Sequence, residues 1–317
     1  MVDPLVTIVV AAHCPEREHF AVAIDSALEQ SYVNLEIIVG DDSPDNSLQA
    51  LVLARNDPRV RYSHHRPSLG VAANHWAAFK QARGEYIVIL NHDDWLAPAF
   101  VVTMVSALQQ HDAAVLAFCD HWVVDGRGQR LLAETEANTV AWGRAGLAVG
   151  LHCSLADLLA TQAIPMAMGT MFRRSALPTR MPTNAGPAYD LWLTYVLARS
   201  GGGAHYVTER LSAWRSHPGN LTTATGLAWL KGAASCWQAV AGDNALSGIR
   251  HEARAKAASA LSACAVRSWR DGHLIACARF AVRSLLARVT RRGLGLLFLP
   301  LLPRSFDRFT TSRRAGR

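Results

Sequence analysis

The chain has 317 residues, 50% of them hydrophobic and 18% charged, with a formal net charge of +7. That apolar content excludes an intrinsically disordered chain, and the length sets an expectation of two domains or one domain with a substantial extension. The longest strongly apolar run, residues 294–302, is far short of the roughly 20 residues of a bilayer-spanning helix. Asp3 and Pro4 stand where a secretory leader would begin, so neither a membrane span nor a leader is expected.

In chain order, residues 5–12 (LVTIVVAA) are a continuous apolar, β-branched run, the pattern of a strand buried on both faces. Phe20, Ala23, Ile24, Ala27 and Leu28 recur at helical spacing. Residues 35–40 (LEIIVG) read as a second buried strand, running into Asp41-Asp42-Ser43-Pro44. A helix over 45–55, a short strand over 60–63 and a helix over 71–82 follow, the last expected to stop at Gly84. Residues 85–90 (EYIVIL) read as another strand, ending in Asn91-His92-Asp93-Asp94, followed by a helix over 98–110 and a strand over 114–119.

Beyond Val123 the periodicity weakens. Asp125-Gly126 signals a turn, and residues 168–173 and 211–215 carry strand character. Residues 189–199 (YDLWLTYVLAR) form an amphipathic helical pattern closed by Gly201-Gly202-Gly203. From about residue 224 the chain is Ala-rich and helical, a composition shift that marks a second region.

Strand and helix thus alternate four times in about 110 residues, the signature of a parallel three-layer α/β sheet. Such sheets bind ligands at the carboxyl ends of their strands. Two strands end in acidic pairs, Asp41-Asp42 and Asp93-Asp94. Carboxylate pairs at neighbouring strand ends repel unless a cation or hydrogen-bond donors lie between them. A hard divalent ion with diphosphate oxygens suits that place, whereas each acid taken singly also reads as a solvated loop residue or a helix cap. Ala11-Ala12-His13-Cys14 follows the first strand in place of G-x-G-x-x-G, and no G-x-x-x-x-G-K-[ST] occurs, which disfavours dinucleotide oxidoreductases and P-loop NTPases. The six cysteines contain no C-x-x-C pair and read as free thiols in a reducing cytoplasm.

The run VTIVVAAHCPEREHFAVAIDSALEQSYVNLEIIVGDDSPDNS resembles the opening of family-two, inverting, GT-A-fold glycosyltransferases. SLGVAANHWAAFKQARGEYIVILNHDDWLAP, GTMFRRSAL, YDLWL and WRSHPGNLT are similar to that family's later blocks, so the resemblance covers residues 4–225. It implies a Rossmann-like GT-A catalytic domain over 1–225 and leaves 226–317 as a helical basic region. It also implies a nucleotide-diphospho-sugar donor bound over the strand ends, with Ala11, His13, Asp42, Asn74, Asn91, Asp94 and Arg215 among its contacts. Asp42 matches the acid that accepts from the base, with Asp41 orienting the loop. Asp93 matches the metal carboxylate and His217 a residue completing the shell of a Mn²⁺ or Mg²⁺ ion. Arg215 is expected near the diphosphate. Asn91 departs from the family's acid and keeps only hydrogen-bonding capacity, toward a ribose. The family places Glu-Asp just before its Y/W-D-L-W-L block; here Pro187-Ala188 stand there. The general base is therefore either Asp190, after a register shift, or a residue elsewhere.

The resulting expectation is a metal-dependent inverting glycosyltransferase acting on a glycan or polyisoprenoid-linked acceptor in cell-surface polysaccharide synthesis. Its place would be cytoplasmic or peripheral on the inner face of the membrane. Two rivals stand beside it: a nucleotidyltransferase, and an inactive sugar-binding scaffold of a polysaccharide assembly. The charge is uneven as well. Residues 251–317 hold 14 basic and three acidic residues, whereas residues 1–250 hold 18 basic and 22 acidic ones. Arg279, Arg283 and Arg288 sit among apolar residues at near-helical spacing, ahead of GLGLLFLPLLP. This tail reads either as a packed helix with a solvated arginine face or as an interfacial element on an anionic membrane. Nucleic acid is not expected, because aromatic residues are not interleaved with the arginines.

Overall fold

The computed structural model describes residues 3–180, 182, 185–217, 220 and 226–301. Pro218, Gly219, Leu221 and Thr222 of the WRSHPGNLT block, and everything beyond Leu301 including the last five arginines, lie outside the described residues. The chain divides into two compact units, Met1–Thr223 and Ala224–Arg317.

The first unit opens with β1 (Val6–Ala12), α1 (Arg17–Leu28), β2 (Leu35–Asp41), α2 (Ser47–Leu53), β3 (Val60–His64), α3 (Val71–Gln81) and β4 (Tyr86–Asn91). It continues with β5 (Trp95–Leu96), α4 (Phe100–Gln110), β6 (Ala114–Val124), α5 (Leu132–Ala141), β7 (Gly150–His152) and α6 (Leu155–Thr161). It closes with β8 (Thr170–Arg173), α7 (Tyr189–Arg199) and β9 (Gly203–Arg215). These strands form one sheet in the order β3-β2-β1-β4-β8-β6-β9-β5, with β7 paired to β9. The sheet is mixed and mostly parallel. Pairing is parallel from β3 through β4 and between β6 and β9, while β8 inserts antiparallel between β4 and β6.

The continuous apolar runs explain the layering. Every residue of β1 and β2 is buried. Val6, Ile8 and Val10 share a core with Phe20, Ile24 and Ala27 of α1 and with Phe100 and Met104 of α4. The opposite face meets α3, whose Phe79 packs edge-on against Phe172 of β8 with ring centroids 5.9 Å apart. The strand ends therefore project from between two helical layers, where loops carry the chemistry.

Two expectations change. The acidic pairs do not sit on neighbouring strands: β1 lies between β2 and β4, about two strand spacings or 10 Å. Their mutual repulsion is correspondingly weaker, and each pair is satisfied by its own partners. Gly84 does not stop α3, which ends on Ala82 in an extended conformation. Gly84 is small for a different reason. A Cβ there would lie 2.6 Å from the Thr7 backbone nitrogen and hydroxyl oxygen, and its own N–H donates to Thr7 Oγ1 at 2.9 Å.

The second unit is helical: α8 (Leu227–Gly242), α9 (Arg250–Arg270), α10 (Leu274–Ala287) and α11 (Arg291–Leu296). Small residues let α9 and α10 approach closely. Ser284 Oγ donates to the Ala258 carbonyl at 2.9 Å and meets Ser262 Oγ at the same distance. Ala265, Trp269, Cys277, Ala281 and Leu296 form a small apolar cluster joining α9, α10 and α11. Among the described residues no helix is long and apolar enough to cross a membrane.

Candidate active site

The first acidic pair closes the β2 end. Asp41 is fully buried; its carboxylate accepts from Tyr62 Oη at 2.6 Å and from the Ser43 N–H at 2.9 Å. Asp42 holds the loop that leads into α3. Its Oδ2 accepts from Ser68 Oγ (2.7 Å) and the Gly70 N–H (2.8 Å), and its Oδ1 from the Leu69 N–H (2.6 Å). Burial alone would raise the Asp42 carboxyl, but these three bonds outweigh it and hold the group below the usual carboxylate range. A carboxylate has about four lone-pair sites, so Oδ1 retains one for a further donor. Gly70, at φ +82°, adopts a backbone that a side-chain-bearing residue rarely takes.

α3 then ties the strand ends together. Asn74 Nδ2 donates to the Gly40 carbonyl at 2.9 Å and to the Ala12 carbonyl at 3.4 Å. A Cβ on Gly40 would land on Asn74 Oδ1, so residue 40 has no room for a side chain. His13 is exposed, with Nδ1 2.8 Å from the Asp42 carbonyl oxygen, and Ala11 is buried beside it.

The second acidic pair splits its work. Asp94 is buried; its Oδ1 accepts from the Arg215 N–H (2.8 Å) and its Oδ2 from Asn91 Nδ2 (2.9 Å). Burial, and then the neighbouring Asp93 charge, push the Asp94 carboxyl well above its ordinary value. Asp93 reaches toward β9. Its Oδ2 lies 3.0 Å from His217 Nε2 and accepts from Asn220 Nδ2 at 3.3 Å. Asn220 Nδ2 also donates to the Arg215 carbonyl at 2.9 Å, and its Oδ1 accepts the His217 N–H. Residues 124 positions apart thus converge on one carboxylate. Arg215 itself is buried. Its Nε donates to the Asp93 carbonyl (2.8 Å) and its Nη1 to the Gly126 carbonyl (3.1 Å), which fixes the loop that presents Asp93.

The start of α7 completes the cluster. The Tyr189 ring stacks on His75 of α3, centroids 4.1 Å apart, and its hydroxyl lies 3.4 Å from Asn91 Oδ1. Burial and then the charges of Asp190, Asp94 and Asp93 push the Tyr189 phenol well above its ordinary value. Asp190, one residue on, accepts from the Leu191 N–H at 2.8 Å, and burial raises its carboxyl. Ala188, where the family's acid is expected, is buried in the turn before α7.

Of the residues singled out in the sequence, Asn91, Asp93, Asp94, Arg215 and His217 come together directly. Asp42, Asn74, Ala11 and His13 form a second group around the ends of β1 and β2. Sequence reasoning missed three members. Asn220 sits within the quoted WRSHPGNLT block, but nothing local to that block pairs it with Asp93, 127 residues away. Tyr189 and His75 belong to helical patterns that gave no sign of a stacked pair.

Among the described residues no three His, Cys, Asp or Glu side chains cluster as a metal site. Asp93 and His217 supply one carboxylate and one imidazole. This pair fits a divalent ion whose remaining positions are filled by diphosphate oxygens and water, because such ions keep several non-protein ligands.

The succinoglycan biosynthesis protein ExoO of Rhizobium meliloti is 34% identical over 134 residues, 42% of this chain and 38% of that protein. The matches span less than half the length of each of the curated relatives. The fold of S. aureus TarS 1–349 superposes with a TM-score of 0.65 at 15% identity, covering 99% of this chain and 92% of that one. A mannosyltransferase of Pyrobaculum calidifontis, solved with GDP-Man and Mn²⁺, superposes at 0.59 with 17% identity, covering 96% and 88%. The model of Glycosyl transferase family 2 matches residues 7–176, a segment containing both acidic strand ends and all of the sheet up to β8. With more than half of its length matched and the sheet, acids and loops in that arrangement, the chain belongs to glycosyl transferase family 2.

Proposed function

We propose that this chain transfers a sugar, with inversion and with a divalent metal, from a nucleotide-diphospho-sugar to a glycan or lipid-linked acceptor in cell-surface polysaccharide synthesis. The catalytic domain is residues 1–225, the helical basic region is 226–317, and the location is cytoplasmic or peripheral on the inner face of the membrane. The observation that carries this reading is the convergence of Asp93, His217 and Asn220 beside Tyr189 and Asp190. Structures related in fold hold donors of this class: TarS was solved with UDP-GlcNAc and the Pyrobaculum mannosyltransferase with GDP-Man and Mn²⁺.

In this reading the remaining lone pair on Asp42 Oδ1 accepts the base N–H, a charge-assisted bond held in place by the Ser68–Gly70 clasp. Asp93 and His217 are the residues that hold the metal. When bound, the ion supplies Lewis-acid neutralisation of the diphosphate leaving group. Arg215 and Asp94 keep the Asp93 loop in one position, so little reorganisation is required as charge develops. Asp190 takes the acceptor hydroxyl proton as that oxygen attacks the anomeric carbon opposite the departing diphosphate. Burial raises its carboxyl, which makes the carboxylate a stronger base toward that proton.

The neutral Asn91 does not by itself favour an inactive scaffold. It donates to Asp94 and lies beside the Tyr189 hydroxyl, so it has a defined place in the network. The test is a thermal-shift screen of nucleotide-diphospho-sugars with Mn²⁺. A true donor at a hundred times its Kd adds about 2.7 kcal/mol of stability. No shift from any nucleotide sugar removes this reading, and a shift from nucleoside triphosphates alone favours the nucleotidyltransferase.

A further inference from the structure

The second unit presents a face that its own packing leaves uncovered. On α10, Cys277, Ala281 and Ser284 are buried toward α9. On the other side, Ile275 (73% exposed), Val282 and Leu286 (82% exposed) point to solvent. At about 100° per residue, these three and Arg279 fall within an arc of roughly 60°, opposite the buried residues. The apolar surface continues past the helix: Val289, Phe298 (64% exposed) and Leu301 are exposed as well.

The charges on the same elements have one sign. Arg279, Arg283, Arg288, Arg291 and Arg292 are all exposed. From Gly272 to Leu301 the sequence contains no Asp or Glu. Arg283 is steadied by Gln238, to whose Oε1 it donates at 2.8 Å.

From this arrangement we infer that α10, α11 and residues 297–301 dock on an anionic lipid surface, arginines meeting headgroup phosphates while Ile275, Leu286 and Phe298 enter the acyl boundary. Charge complementarity selects this occupant. A second copy joined through the same face would oppose five arginines to five arginines with no acid between them, whereas an anionic bilayer neutralises them and accepts the apolar side chains together. Nucleic acid would neutralise the charge but leaves the aliphatic stripe in water. The contact requires no donor chemistry, so it stands or falls independently of the transferase reading.

The experiment is flotation of the full chain with vesicles of phosphatidylcholine alone and of phosphatidylcholine mixed with phosphatidylglycerol. The chain is expected to float with the mixed vesicles, to stay behind with the neutral ones, and to be released by salt. Replacing Arg279, Arg288 and Arg292 with glutamine is expected to lower partitioning on the order of 100-fold, at about 1 kcal/mol per arginine. Leu286→Ser with Ile275→Ser lowers it without changing its salt dependence. Circular dichroism and nucleotide binding on the same samples verify that the variants are folded. Equal partitioning of wild type and the arginine variant overturns the proposal, as does equal binding to both vesicle types. So does failure to float combined with a dimer, seen by light scattering, that Leu286→Ser dissociates.

Discussion

Replacing Asp42 with asparagine tests the clasp that sets the proposed nucleotide end of the site. The buried carboxylate has three donors on the exposed loop: Ser68 Oγ and the N–H groups of Leu69 and Gly70, at 2.6–2.8 Å. An amide keeps the shape but removes the charge and turns one acceptor into a donor. Oriented one way, Nδ2 faces the Leu69 N–H; oriented the other, it faces Ser68 and Gly70. Either way at least one donor loses its acceptor. A hydrogen bond to a charged group contributes about 1.5–3 kcal/mol, so Asp42→Asn is expected to cost about that much. For a unit of this size about 1 kcal/mol moves Tm by roughly 2–4 °C, which gives a drop of about 3–12 °C.

The pH dependence has a definite sign. The folded carboxyl lies below its unfolded value, so its contribution is full above the unfolded pKa and is lost as pH falls through the folded one. The gap between wild type and variant is therefore wide at neutral pH and closes in acid, below the ordinary carboxylate range. Melting curves followed by circular dichroism, with titration of the free nucleoside diphosphate, measure both effects. Equal melting temperatures at neutral pH, with an unchanged nucleotide Kd, refute the clasp and its role together.

Other substitutions probe the remaining parts. Asp190→Asn is expected to leave donor binding intact and to slow transfer about 10²–10⁴-fold, measured as product formed under saturating donor. Because burial raises the Asp190 carboxyl, its ionisation opposes folding as pH rises from the unfolded to the folded pKa; the same variant should melt higher than wild type at neutral pH, and an unchanged Tm argues against a buried base. Gly40→Ala drives a methyl into Asn74 Oδ1 and should destabilise by about 1–3 kcal/mol in denaturant titrations while weakening nucleotide binding. His217→Gln should reduce metal-dependent donor binding, read by calorimetry, with thermal stability nearly unchanged; wild-type binding would remove His217 from the metal shell.

What the sequence disclosed follows from where packing is strongest. β1, β2 and β4 are buried nearly end to end, so their β-branched runs were readable without a partner. α7 was readable to its ends because its apolar spacing is intact. The region between β6 and β8 was not. α5 buries only Thr135 and Thr139, which leave no apolar stripe, and β7 is three half-buried residues. Only the last five residues of β9 were expected as strand, because its middle, Glu209 and Thr208, is exposed and its register with β6 shifts at Asp120.

The site followed the same division. Asp93 and His217 were found from local motifs, yet their 3.0 Å contact is a product of the sheet order, which no local pattern encodes. Arg215 is expected near a diphosphate; the structure adds that its guanidinium braces the Asp93 loop and the turn at Gly126, a task set by the buried β9 end. The Tyr189–His75 stack joins two helices that are over 100 residues apart, and each residue alone looked like ordinary core.

The central claim is that Asp93 holds a metal that the donor completes. Calorimetric titration of the donor found by the thermal-shift screen, with Mn²⁺ and then with a chelator, on wild type and on Asp93→Ala, tests it most directly. Wild type should bind the donor tightly with Mn²⁺ and at least tenfold more weakly with chelator (about 1.4 kcal/mol), while Asp93→Ala shows the weak value in both. Donor binding that is insensitive to chelator and unchanged in Asp93→Ala would contradict the account.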